Sequence, residues 1–408
     1  MSEQEPPVQE SAAAEEPPPA RPPRFSVGRL LAILAGAAVI FGVILFATIK
    51  LGYMELEWRG TGIPDIVWKG NRASPDFDRL EAHRKKQAAT PVMMLAFDNA
   101  APWPGFRGTN RDGLCQEAIR LDWGQTAPVV LWSQPTGGGH ASFAVARGRA
   151  FTLEQRREQE AVVAYHLETG RELWKHEYRA EFNDQWTMGD IGPRATPAWD
   201  EGRVYTLGAE GHLFCLNEET GTMLWEANVL SIAGNSNLAF GISASPLVEG
   251  DLLIVAAGNG AHSVLALNKA NGEVVWRSPA GKGAYTSPMV TVLGGEKQIL
   301  ITGATGPMGI SLADGKVLWK FPWEVSHDNN IAQPVVIDGE QVFISAGYGK
   351  GCAMLSIIYE DGQWRAEEQW RNRFMKNKFS SSVHLDGHLY GLDDTILTCL
   401  DAATGKRN

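Results

Sequence analysis

A turn signature of Thr, Asn or Asp followed by Gly and, after three more residues, by Trp recurs at Thr169-Gly170…Trp174, Thr220-Gly221…Trp225, Asn271-Gly272…Trp276 and Asp314-Gly315…Trp319. With Trp132 before and Trp370 after them, successive tryptophans stand 42, 51, 51, 43 and 51 residues apart. Five residues before each turn stands a small residue: Ala164, Cys215, Ala266, Gly309, Ser356, and Cys399 ahead of Thr404-Gly405. Most units open with a small-x-Pro step, at Ala195-Thr196-Pro197, Ala244-Ser245-Pro246, Thr286-Ser287-Pro288 and Ala332-Gln333-Pro334. Between these marks run β-rich strings such as RVYTLG, DLLIVAAG and QVFISAG, joined by the turn pairs Glu201-Gly202, Glu249-Gly250 and Asp338-Gly339.

Four short antiparallel strands per unit, at a period of roughly 40–50 residues, is the pattern of a β-propeller blade. A four-stranded sheet has two faces to bury, and radial stacking lets each blade cover the next. A helical solenoid would need an apolar period of 3.6, which these units lack. The expected fold class is therefore all-β, a β-propeller. The recurrent tryptophans, Trp132, Trp174, Trp225, Trp276, Trp319 and Trp370, are expected to fill the wedge between adjacent blades near the outer strand. The 44 glycines among 408 residues fit a fold built of tight turns.

The beginning of the chain reads differently. Residues 1–26 are Pro- and Glu-rich without an aliphatic cluster and are expected to be disordered. From Leu30 to Ile49 run twenty uncharged, mostly apolar residues, enough at about 1.5 Å per residue to span a hydrocarbon core. A core helix seldom lacks a polar face over such a length. A signal peptide would not carry so long an acidic, Pro-rich leader. Residues 27–50 are thus expected to form a transmembrane helix, a signal-anchor and membrane contact through 30–49. Arg21, Arg24 and Arg29 before it, against Lys50 and Arg59 after it, place the N-terminus in the cytoplasm and the propeller in the periplasm or otherwise outside. Residues 51–100 read as a polar linker with one helix around Phe77–Lys86, and 101–408 as the propeller. The net charge is −10 and falls almost wholly on that last part, which argues against a nucleic-acid partner.

No C-x-x-C, H-E-x-x-H or G-x-S-x-G occurs. Cys215 and Cys399 occupy the repeat's small-residue slot, which favours buried thiols over disulfides with Cys115 and Cys352. No catalytic or metal-ligating residue is selected. Polar residues do gather before the small-x-Pro steps: Arg194, Asn235 and Asn237, Asp328, Asn329 and Asn330, and Lys376, Asn377 and Lys378. In a propeller these segments share one face around the channel. They either cap turns there or form a polar pocket for a protein partner or small ligand.

The turn A-x-D/N-x-x-T-G-x-x-x-W, clearest in LNEETGTMLW and LNKANGEVVW, resembles that of pyrroloquinoline quinone (PQQ)-like propeller proteins over residues 103–408. WPGFRGTNRDG and VFISAGYGKGCAML are similar to a bacterial subgroup of them. The resemblance implies eight four-stranded blades in a complete protein. Six to seven are expected here, with Trp132 ending the first, so the sequence reads as truncated at its C-terminus. One branch of the family is redox enzymes and another is protein-binding scaffolds. The adjacent Cys-Cys pair of the alcohol-oxidising type is missing, and so is a lipobox cysteine near the span. The expectation is a membrane-anchored, non-catalytic binding or scaffold module with no cofactor. The alternative is a PQQ-dependent oxidoreductase of alcohols or sugars, with Ca²⁺ held by residues such as Asp190, Asn237 and Asp328.

Overall fold

A computed structural model describes residues 27–50, 54–57, 65–68, 76–88 and 103–408, the last without 116, 121, 125–126 and 183–190. The expected disordered tail lies outside the described residues, as does Asp190. Two compact units are present, Met1–Glu55 and Leu56–Asn408. In the first, Val27–Lys50 forms one 24-residue helix, α1. Its side chains are described without interruption only from residue 34, and among the described residues no helix is long and apolar enough to cross a membrane. In the region read as a linker, short strands Met54–Glu57 (β1) and Asp65–Trp68 (β2) form a two-stranded sheet, and Phe77–Ala88 forms helix α2.

The repeat folds as six consecutive antiparallel sheets, each meandering in sequence order. Blade 1 is Ala144–Ala146 (β3), Arg149–Arg156 (β4), Gln159–His166 (β5) and Glu172–Arg179 (β6). Blade 2 is Ala198–Asp200 (β7), Arg203–Leu207 (β8), His212–Asn217 (β9) and Met223–Asn228 (β10), and a short helix Val229–Ala233 (α3) follows it. Blade 3 is Leu247–Glu249 (β11), Leu252–Ala256 (β12), Val264–Asn268 (β13) and Val274–Ser278 (β14). Blade 4 is Met289–Leu293 (β15), Glu296–Gly303 (β16), Gly306–Ser311 (β17) and Val317–Lys320 (β18). Blade 5 is Val335–Ile337 (β19), Gln341–Ala346 (β20), Gly351–Glu360 (β21) and Gln363–Asn372 (β22). Blade 6 has three strands, Val383–Leu385 (β23), His388–Asp393 (β24) and Ile396–Asp401 (β25). The sequence put a complete blade ahead of these, ending at Trp132. The structure corrects this: Trp132 lies in an extended segment outside any strand, and blade 1 begins at Ala144.

Alternate residues of a strand point to opposite faces, so each sheet contributes to two cores. Val162 and Ala164 of β5 pack with Val204, Phe214 and Leu216 of blade 2. Tyr205 and Leu213 pack with Leu253 and Leu265 of blade 3, and Ile254 and Ala266 pack with Ile299 and Ile310 of blade 4. Leu300 then meets Val342 and Leu355 of blade 5, whose Phe343 and Met354 meet Leu389 and Leu400 of blade 6. The remaining face of blade 1, with Ala161, Val163 and Tyr165, is approached by α2 and by the Trp132 segment. Arg84 Nη2 donates to the Tyr165 hydroxyl at 2.9 Å, and Trp132 stacks on the Tyr165 ring at 6.5 Å.

The tryptophans join these layers in one repeated way. In every blade but the fifth the turn closes with the glycine N–H donating four residues back, as in Gly221 to Asn217 at 2.9 Å, and the glycine takes φ near +70°. The preceding blade's indole lies flat against that glycine, Trp174 on Gly221, Trp225 on Gly272, Trp276 on Gly315 and Trp370 on Gly405, and Trp132 of the segment ahead of blade 1 lies on Gly170 in the same way. Each indole N–H also donates to the carbonyl three residues before the glycine, at 2.8–3.1 Å. Trp319 departs from this pattern. The β21–β22 hairpin is lengthened, Gly362 has nothing within 4 Å of its Cβ position, and Trp319 donates instead to Gln298 of its own blade at 2.7 Å. The same lengthening puts Met354 rather than Ser356 opposite Trp370.

Inner strands are tied by the small-x-Pro steps. The N–H of residue x donates to the side chain of x in the next blade: Thr196 to Ser245 at 2.9 Å, Ser245 to Ser287 at 2.9 Å, Ser287 to Gln333 at 3.2 Å and Gln333 to Ser381 at 3.0 Å. The segment Trp103–Leu114 crosses this ring. Trp103 pairs with Val145 of blade 1, Pro104 accepts from Trp199 of blade 2, and Arg107 donates to Ser382 beside blade 6 at 2.8 Å. Arg111, 4 % exposed, donates to the carbonyls of Ser245, Pro246 and Pro288.

Between blades 1 and 2 lies Glu160, wholly buried, which accepts from the Tyr178 hydroxyl and, at 3.2 Å, from the Ala209 N–H. Burial pushes its carboxyl up from 4.5 to about 7 against those two bonds, with Glu210 adding to the rise and Arg194 opposing it. Folded protein therefore holds a proton that unfolded chain has released, so this group's contribution to stability falls as pH rises from 4.5 to about 7.

Two measurements test these packing arguments. Gly221→Ala places a Cβ 2.5 Å from Trp174 at φ +69°, whereas Gly250→Ala, at φ +57°, meets nothing within 4 Å. Both carry a left-handed penalty of about 1–2 kcal/mol, and the first adds about 1–3 kcal/mol of overpacking. Thermal unfolding should separate them by that second amount, and equal losses would refute the docking account. Glu160→Gln should melt higher than the parent at about pH 8, by the equivalent of about 1–3 kcal/mol, with the difference vanishing toward about pH 4.

Candidate functional site

The loops that precede the inner strands share one face with the turns between second and third strands. On it, most of the polar residues singled out above turn out to lash loops together. Asn235 donates to the Ala257 and His262 carbonyls at 2.7 and 3.0 Å, and Asn237 to Ala209 at 3.0 Å. Asn330 donates to Gly303 at 3.0 Å and to Trp323 at 3.2 Å. Asn377 donates to Ser382 at 2.6 Å and accepts from the Leu392 N–H at 3.0 Å, while Lys376 pairs with Asp393 and Asp394 at 2.6 and 2.9 Å. These side chains satisfy backbone and loop carboxylates that would otherwise be left open near the core.

Arg194, Asp328, Asn329 and Lys378 do something else. Arg194 lies 4.7 Å over the Phe182 ring and also donates to the Gly192 carbonyl at 2.5 Å. Asp328 is exposed on a 3₁₀ turn, Ser326–Asp328, in which His327 and Asp328 take φ of +62° and +58°. Asn329, 7 % exposed, donates to the Tyr348 hydroxyl at 3.1 Å, while its buried Oδ1 has no hydrogen-bond partner. Lys378 Nζ sits between two rings, 5.1 Å from Tyr348 and 5.3 Å from Phe379.

Sequence reasoning passed over the aromatic part of this face. Tyr285 packs on Phe240 at 5.9 Å, and its N–H donates to Asn330 at 3.0 Å. Burial pushes the Tyr285 phenol up; a backbone bond at Phe240 and the charge of Arg194 oppose the rise, and Tyr348 and Asp328 add to it. Tyr348, itself at φ +56°, is also pushed up by burial, against its bond from Asn329. Beside them Trp323 is 1 % exposed, with Lys350 Nζ 4.7 Å and Arg371 Cζ 5.0 Å from its ring and with its own indole N–H unpartnered. The available signals were YGK between two strands and the basic run RNRFMKNKF, both conspicuous in a chain of charge −10.

Behind this face, the Trp103–Leu114 segment and the inner strands of blades 3 to 6 enclose a cavity of about 470 Å³. Its walls are half apolar, with Leu247, Met289, Val292 and Val335, and its guanidinium groups are already engaged by carbonyls. All four cysteines are free, and burial pushes the Cys215 and Cys352 thiols up to about 11 and about 12. The calcium site of a quinone enzyme needs converging carboxylate and amide oxygens. Asn237 is committed to Ala209 and, through Oδ1, to the Leu238 N–H, and among the described residues no three His, Cys, Asp or Glu side chains come together to hold a metal. The described residues do not fit that ion.

No curated protein is significantly similar to the chain. Among solved structures it is similar to BamB from Moraxella catarrhalis, at 17 % identity over 65 % of this chain and 84 % of that one, with a TM-score of 0.43. It is similar to the quinohemoprotein alcohol dehydrogenase ADHIIG from Pseudomonas putida HK5, at 12 % identity over 67 % and 66 %, with a TM-score of 0.45. It is also similar to the quinohemoprotein alcohol dehydrogenase of Comamonas testosteroni, at 12 % identity over 81 % and 76 %, with a TM-score of 0.39. The family model described as outer membrane protein assembly factor BamB matches residues 158–408. That match takes in more than half of the 408 residues, so the chain belongs to this family of PQQ-type repeat proteins.

Proposed function

We propose that this protein is a membrane-anchored, extracytoplasmic β-propeller that acts as a non-catalytic scaffold, binding a protein partner on the loop face around Tyr285, Tyr348 and Lys378. The observation that carries the reading is the division of labour on that face. Asn235, Asn237, Asn330 and Asn377 fix the loops, while Tyr348 and Phe379, 38 % and 73 % exposed, and the Lys378 ammonium are left facing outward on that fixed frame. Exposed aromatic and cationic side chains on rigid backbone are the usual anchors of a protein interface. The family's printed description, an assembly factor, agrees with a scaffold.

Anchoring is read from α1. Leu31, Val39, Ile40, Phe41, Val43 and Phe46 are each more than half exposed on a 24-residue helix. An apolar face of that extent is stable only against lipid or another apolar surface. Arg21, Arg24 and Arg29 before it, against Lys50 and Arg59 after it, favour an inward N-terminus.

Alkaline carbonate washing of membranes should leave the full chain in the pellet, and release into the supernatant would refute the anchor. Incubating the detergent-solubilised full chain with PQQ and Ca²⁺ should give neither saturable quinone binding nor dye-linked oxidation of alcohols or sugars. Binding with turnover would replace the scaffold reading by the oxidoreductase one.

A further inference from the structure

The loops of blade 5 hold a concentration of positive charge that neighbouring carboxylates pair only in part. Residues Arg371–Phe379 contain four basic and no acidic side chains, in a protein of net charge −10. Two of the four are accounted for: Arg371 pairs with Glu368 and Lys376 with Asp393 and Asp394. Arg373 and Lys378, and Lys350 on the neighbouring β20–β21 turn, have no ion-pair partner among the described residues. Glu324, exposed, is the acidic group whose charge acts on Lys350, against that of Arg371.

Three further observations coincide there. Lys350 and Arg371 both lie over the Trp323 ring, so two like charges are held against one buried indole. Backbone strain collects in the same loops, with His327, Asp328, Tyr348 and Met375 at φ between +51° and +62°. The Asn329 Oδ1 and the Trp323 indole N–H, both on residues more than nine-tenths buried, are left without partners. Holding cations together at the cost of strain and unmet hydrogen bonds is a poor arrangement for stability alone.

Resting on the scaffold reading above, we propose that this patch, Tyr348, Lys350, Arg373, Lys378 and Phe379 over Trp323, captures an acidic segment of the partner protein. Its carboxylates pair with the Lys350 and Lys378 ammonium groups and the Arg373 guanidinium, and an apolar side chain beside them packs on Phe379. Ammonium groups already backed by aromatic faces are partly desolvated and positioned, so an incoming carboxylate has less water and less side-chain freedom to displace.

The test uses the full chain in detergent and a fluorescein-labelled peptide of alternating Glu and Phe, beside the same peptide with Gln for Glu. Fluorescence anisotropy at low ionic strength should show the Glu peptide bound at least about tenfold more tightly, with affinity falling steeply as salt is added. Lys350→Glu with Lys378→Glu should abolish that preference, whereas Lys316→Glu, on an exposed turn of blade 4, should leave it. Should the double variant fail to fold, the salt dependence of the parent protein decides the question in its place. Equal binding of the two peptides, no binding of either, or binding of phosphatidylglycerol vesicles without the Glu peptide each overturns the proposal. Capture of a cellular partner that survives charge reversal but is lost in Phe379→Ala would leave the scaffold reading standing without the acidic ligand; partner capture indifferent to both would remove the two together.

Discussion

Docking of one blade's indole on the next blade's turn glycine is the interaction on which this architecture depends. A sheet of four short strands cannot bury both of its faces alone, and a flat apolar contact between sheets has no built-in register. The indole supplies one. It fits only where a residue lacks a Cβ, and its N–H reaches only one carbonyl, as in Trp174 against Gly221 with the bond to Glu218 at 2.8 Å. Four repeats of that geometry set the stagger of successive sheets from the outside. The chain of N–H to side-chain bonds from Thr196 to Ser381 sets it from the inside. Where the outer contact is lost, at Trp319, a different one replaces it: Trp364 of the long hairpin packs back on Gly294 of blade 4.

On the proposed scaffold reading, that rigidity has a use at the loop face. Loops in a propeller are free to vary because the blades beneath do not depend on them. Here they are themselves pinned by asparagines to neighbouring backbone, so the side chains that remain outward are held in place before any partner arrives. Pre-organisation of this kind reduces what binding must order. The segment Trp103–Leu114 lies against the inner strands, with Arg111 anchored to blades 3 and 4 and its guanidinium spent on their carbonyls.

Much of the fold was legible in the sequence because its determinants are local and repeated. Trp spacing, T-G turns and small-x-Pro steps each mark a backbone conformation that few other residues satisfy, and each recurs in phase. Where repetition fails, so did the reading: Trp132 was given a blade of its own, and the small-residue slot was assigned to Ser356, whereas the longer β21–β22 hairpin places Met354 opposite Trp370. The site was less legible. Position in the repeat identified Arg194, Asp328, Asn329 and Lys378 together with asparagines whose amides turned out to be spent on carbonyls, since sequence spacing does not tell a loop-fixing amide from a side chain set among aromatic rings. Tyr285, Tyr348 and Trp323 were missed because one aromatic among many carries no signal until three-dimensional neighbours give it one.

The central claim is that a partner docks on the loop face, and site-specific photo-crosslinking tests it most directly. A photoreactive residue at position 379, on that face, is compared with one at position 275, an exposed outer-strand site on blade 3. The account predicts a discrete crosslinked species from position 379 and none from position 275. Crosslinking from position 275 alone would contradict it.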